Sequence, residues 1–134
     1  MSNELGPAPE ASPATSTGAV PEPRALASAV RRLQTALPAD VVEMFRHAMA
    51  TNLSEVAQVR EDGTVFLLTG DIPAMWLRDS AAQLRPYVML CGDDPSLQDV
   101  LLGVVRRQLL FLLTDPYANS FTDLRQSRHA DDLT

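Results

Sequence analysis

Lysine is missing from this 134-residue chain, and all eleven basic residues are Arg. That uniformity reads as a coding bias of a GC-rich genome, not as eleven separately selected guanidiniums. Cysteine is nearly missing too: Cys91 stands alone and cannot close an internal disulfide, which fits a reducing, cytoplasmic setting. The two histidines, His47 and His129, lie too far apart to form a metal-ligand cluster. A basic surplus is absent as well. The formal charge of −6 and pI near 4.7 argue against nucleic acid and anionic membranes as partners. The first residues show neither the basic start nor the apolar run of a signal peptide. The longest aliphatic or aromatic run, Leu109–Leu113, is far short of a bilayer crossing.

What is present is 46% hydrophobic residues, enough for the core of one ordinary domain. Residues 1–23 hold five of the ten prolines and almost no large apolar side chain, so they read as a disordered tail. From Arg24 onward the pattern is helical. Leu26, Val30, Leu33 and Leu37 form one apolar stripe, which Pro38 ends. A second helix follows, with Asp40 as its expected cap and Val41, Phe45, Ala48 and Met49 as its face; His47 pairs with Glu43 on its surface. Val56 to Leu68 read as a β-hairpin turning at Asp62-Gly63. Further on, Gly92 to Pro95 make a turn, and Ser96-x-x-Asp99 resembles a capping box. The helix Leu97–Leu113 is apolar around much of its circumference, as in a helix buried within a larger body. The closing stretch, from Thr122 to Thr134, is polar.

The chemistry concentrates in GDIPAMWLRDSAAQ, Gly70 to Gln83, which holds the single Trp of the chain. Gly70 and Pro73 break regular structure ahead of it. Asp79 is the expected N-cap of a helix that Pro86 kinks or ends near Arg85, and it lies one turn from Gln83 on the same face, close to Trp76 and Arg78. An indole covers the C–H face of a sugar ring, while carboxylates and guanidiniums take vicinal hydroxyls. On residue types alone, Asp71 and Asp79 suit an acid and a base. The same residues equally suit a plain buried Trp beside a structural Arg–Asp pair. The loop DPYANSF, Asp115 to Phe121, follows the apolar helix directly and reads either as an ordinary helix-ending turn or as a functional loop.

Taken together, TGDIPAMWLRDSAAQ (Thr69–Gln83) and DPYANSF (Asp115–Phe121), with a Leu-rich helix between them, resemble glycoside hydrolase family 125. That family comprises metal-independent, exo-acting α-1,6-mannosidases. The resemblance covers roughly residues 26–134. The second motif departs slightly: the family carries Ala in place of Ser120, and an acidic stretch with Asn and Gly in place of Thr122–Ser127.

The resemblance implies a mainly α fold, here the first helical hairpins of an (α/α)6 barrel with one short β-hairpin, over residues 24–134. It implies inverting hydrolysis of a terminal α-mannoside by two carboxylates about 6.5–9.5 Å apart, with no cofactor and no metal. Trp76, Arg78 and Asp79 are implied to line the mannose subsite, and Tyr117 and Asn119 to sit on a neighbouring loop of the same rim. The family's catalytic acid and base fall beyond Thr134, and Asp131 and Asp132 read as solvated tail acids. The chain is therefore expected to behave as an inactive first third of an enzyme. The alternative is a small, non-catalytic helical carbohydrate-binding or interaction module.

Overall fold

The computed structural model describes residues 20–70, 72–123 and 126–127. The expected tail falls mostly outside them. Its last residues do not: Val20 and Pro23 are buried, and Val20 belongs to the main core. The described part is mainly helical. In chain order it comprises α1 (Arg24–Leu33), α2 (Ala39–Ser54), β1 (Ala57–Val59), β2 (Val65–Leu67) and β3 (Met75–Trp76). Then follow α3 (Leu77–Val88), a single 3-10 turn (Cys91–Asp93), α4 (Pro95–Thr114), β4 (Ser120–Asp123) and β5 (Gln126–Ser127).

α1 and α2 pair through Leu26, Val30 and Val42, with Leu33, Phe45 and Met49 around them. The expected α2 face is corrected by one position. Val42 is buried whereas Val41 and Ala48 are exposed, because the inward stripe runs Val42, Phe45, Met49, Leu53. Asp40 sits inside the first turn, and Pro38 occupies the cap position. Glu43 bonds foremost to Arg46, at 2.7 and 3.2 Å, and the expected His47 partner adds only a weaker attraction to its carboxylate.

The hairpin forms as its Asp-Gly step suggests. β1 and β2 are antiparallel, Gly63 takes φ +73°, and Asp62 Oδ1 accepts bonds from the Thr64 amide (2.9 Å) and hydroxyl (2.6 Å). The hairpin lies on α4, where Gly103 lets Val65 approach closely. Under the turn, buried Arg107 reaches Asp62 at 3.5 Å. Burial pushes the Asp62 carboxyl up, but the Thr64 bonds and the Arg107 charge outweigh it and hold it below the usual range.

Phe111 is the hub of the main core. Its ring stacks on Phe121 of β4 at 4.2 Å and meets Phe66 of β2 edge-on at 6.2 Å. Tyr87 of α3 is fully buried; its hydroxyl donates to the Met49 carbonyl (2.7 Å) and accepts from the Asn52 amide (3.1 Å).

Three further expectations are corrected. α4 is capped by Asp94, whose Oδ1 accepts from the Leu97 amide, and not by Ser96, because Pro95 opens the helix at its first position. α3 continues through Pro86 to Val88. Pro86 and Ala82 are both exposed, so water can satisfy the Ala82 carbonyl that the proline leaves without a donor. A second sheet also exists, with strand order β3-β4-β5, for which the sequence offered no pattern. Apart from these three corrections, α4 is buried on one side only. Leu102, Val105, Leu109, Leu112 and Leu113 are exposed, and Leu113 keeps 83% of its surface in solvent.

Candidate functional site

The loop between β2 and β3 is held by one hydroxyl. The Thr69 N–H and O–H both donate to the Ala74 carbonyl, at 3.0 and 3.2 Å, while Thr69 Oγ1 accepts from the Trp76 amide at 2.8 Å. Gly70 turns the chain at φ +86°, a conformation that disfavours a Cβ. The Ala74 amide donates back to the Ile72 carbonyl at 2.7 Å. Trp76 is thereby fixed at the point where β3 becomes α3.

The same junction joins the two sequence motifs. Trp76 pairs with Ser120 and Met75 with Phe121 in the β3–β4 ladder, and the Leu77 amide donates to the Asn119 carbonyl at 3.0 Å. Stretches more than 40 positions apart thus share one small sheet. Asp115 shapes the intervening loop, its Oδ1 accepting from the Tyr117 amide at 3.0 Å.

A cleft of about 460 Å³ opens at the N-terminal end of α3, lined by Thr69, Gly70, Ile72, Trp76, Asp79, Ala82 and Gln83. That volume lies within the ~300–1,000 Å³ range of small-molecule sites. Trp76, at the N-cap position, supplies an apolar wall. Asp79 stands in the first helical turn and not at the cap, so neither of its oxygens is engaged in capping. Arg78 Nε lies 3.5 Å from Asp79 Oδ1; the Arg78 side chain is 90% exposed and outside the cleft lining.

Of the residues expected at the site, Trp76 and Asp79 meet in the cleft, and Arg78 leans on Asp79 from outside. Tyr117 and Asn119 are exposed on the adjoining loop and do not line the cleft. Asp71, Asp131, Asp132 and His129 lie outside the described residues. Gln83, expected one turn from Asp79 on the same helix face, lines the cleft beside it. Thr69 is the polar lining side chain for which the sequence carried no site signal.

A larger groove of about 710 Å³ runs between α1 and the Cys91–Asp93 turn. Arg24, Arg31 and Arg32 border it, but no aromatic face does, so it lacks the stacking surface that a sugar ring uses.

The profile of the metal-independent α-mannosidases (GH125) matches residues 38–133. This chain belongs to GH125. A solved GH125-type structure from Streptococcus pneumoniae is 44% identical and superposes with a TM-score of 0.64 over 72% of this chain and 22% of its own. It is described as a metal-independent α-mannosidase in a non-productive complex with α-1,6-mannobiose. The meiotically up-regulated gene 157 protein of Schizosaccharomyces pombe is 36% identical over 92 residues, 66% of this chain. The aligned residues span 18% of that yeast protein.

Proposed function

We propose that this chain forms the sugar-gripping wall of an exo-acting α-1,6-mannosidase. In this reading the Trp76 indole lies against the mannose ring and Asp79 accepts protons from its hydroxyls. Arg78 swings from the rim to the same hydroxyls, and Tyr117 and Asn119 contribute from the neighbouring loop. One observation carries the reading. The cleft combines the chain's single Trp with a carboxylate free of capping duty, in the segment that resembles a protein solved with mannobiose.

We read the four helices as the opening hairpins of an (α/α)6 barrel. The exposed apolar side of α4 supports this, because such a face is ordinarily covered by neighbouring helices. Inverting hydrolysis needs an acid and a base on opposite sides of the scissile bond. Among the described residues Asp79 is the only acid lining the cleft. We therefore assign these 134 residues to substrate binding and expect no hydrolysis from them alone, in a cytoplasmic setting suggested by the lone Cys91.

Titration of the chain with α-1,6-mannobiose, followed by Trp76 fluorescence, tests the reading. Saturable quenching or a spectral shift is expected, and it should be lost in Asp79→Ala. Silence at millimolar sugar, or a response indifferent to Asp79→Ala, refutes it.

A further inference from the structure

One polar group of the cleft lining has an oxygen that the fold leaves unpaired. Gln83 lies one helical turn beyond Asp79 on α3 and lines the cleft beside it. Its Oε1 is closed off from solvent and accepts no hydrogen bond among the described residues. Folded proteins rarely leave a buried carboxamide oxygen in this state, and where they do it calls for an explanation.

The other polar side chains of the cleft explain what Gln83 offers. Thr69 is already committed to holding the loop through the Ala74 carbonyl and the Trp76 amide. Ionised Asp79 can only accept hydrogen bonds, and an indole N–H can only donate. A carboxamide does both. Every pyranose hydroxyl has a proton to give and lone pairs to fill, so it suits such a group. Four residues of α-helix place Gln83 about 6 Å from Asp79 along the axis, comparable to the breadth of a hexopyranose ring with its hydroxyls.

We infer that Gln83 is a sugar-contacting specificity residue, its carboxamide taking a second hydroxyl of the hexopyranose that Trp76 and Asp79 hold. This rests on the mannoside-binding reading above. The contact would discriminate against a sugar that lacks this hydroxyl, because the amide oxygen would then stay unpaired beneath the bound ring.

The experiment compares wild type, Gln83→Leu and Gln83→Glu for affinity toward α-1,6-mannobiose and its monodeoxy analogues, together with the thermal midpoint of each variant. Gln83→Leu should weaken mannobiose binding about tenfold or more. Its midpoint should hold or rise, since no internal hydrogen bond is lost and a buried polar group is removed. For this variant, one monodeoxy sugar should bind as well as mannobiose. Gln83→Glu, lacking the amide donor and placing a second negative charge near Asp79, should bind poorly at neutral pH and recover as its carboxyl is protonated.

Undiminished binding by Gln83→Leu beside normal wild-type binding overturns the inference and leaves the mannoside reading standing. A lowered midpoint, or failure to fold, in Gln83→Leu also overturns it, since the amide would then serve the fold. No binding by wild type overturns both.

Discussion

Ala25 donates its backbone N–H to Asp94 Oδ2 at 2.9 Å, across 69 positions of sequence. The other oxygen of the same carboxylate caps α4 through Leu97 at 3.2 Å, so one buried side chain serves the first turns of two helices. The Ala25 bond foremost, acting against burial and aided by Leu97, holds the Asp94 carboxyl below its ordinary value of 3.8. Below that ordinary value the unfolded chain takes up a proton that the folded chain still resists. The stabilisation is thus complete above about pH 4 and is lost as pH falls through the folded pKa.

Asp94→Asn keeps an oxygen for Leu97 but turns an N–H₂ toward the Ala25 amide, which needs an acceptor. We expect a loss of about 1.5–3 kcal/mol at neutral pH, the range for a hydrogen bond to a charged group. The difference from wild type should shrink on acidification. Urea unfolding at pH 7 and below pH 4 reads both effects, and a constant difference across that range would exclude the carboxylate as their source.

Gly103 lies mid-helix, where Ala would ordinarily gain about 1 kcal/mol. Here an added Cβ would stand 2.6 Å from Val65 Cγ2, 3.2 Å from Val65 N and 3.3 Å from the Gly63 carbonyl. Val65 is branched at Cβ and paired in the hairpin, so it has little room to move. Overpacking of this kind costs about 1–3 kcal/mol, and Gly103→Ala should be destabilising by ~1–2 kcal/mol net. A raised thermal midpoint would show that the hairpin yields.

Thr69→Val keeps the shape of the side chain but removes the acceptor of the Trp76 amide. The orphaned N–H should cost about 1–2 kcal/mol, and Thr69→Ser should restore most of it. Because the same bond fixes the indole, mannobiose-dependent Trp76 fluorescence should weaken in Thr69→Val and return in Thr69→Ser. Equal fluorescence responses in all three proteins would detach the latch from binding.

The exposed side of α4 carries Leu102, Leu109 and Leu113. Changing all three to Gln should leave the unfolding midpoint within about 1 kcal/mol of wild type, since exposed positions contribute little to the fold. Concentration-dependent light scattering should fall, because a contiguous apolar patch is an association surface. Unaltered scattering would move the source of association elsewhere.

The sequence made the helices legible wherever an apolar stripe recurred every three or four residues, as through Leu26 and Val30 or along α4. The hairpin was legible because Asp62-Gly63 is a turn signal in itself. Caps were misread at Asp40, Asp79 and Ser96 for a common reason. Each helix begins earlier than its polar candidate, so the cap position falls two or three residues ahead of it, at Pro38, Trp76 and Asp94. The β3–β4 pairing had no local signature, since a two-residue strand with a partner 44 positions away shows neither alternation nor a turn. The cleft was therefore only half visible. Trp76 and Asp79 stood out by chemistry and Gln83 by its helical spacing from Asp79, whereas Thr69 gains meaning only once the loop has closed.

α4 acts as a ruler. Asp94 anchors one end to α1, Phe111 near the other stacks on Phe121, and the strand that follows sets Ser120 against Trp76. Each residue of helix advances the chain by about 1.5 Å and turns it by roughly 100°. One residue more or fewer would carry Phe111 off Phe121 or swing Asp94 away from Ala25. The length of α4 is consequently a specification for the cleft, written in a helix that never touches it.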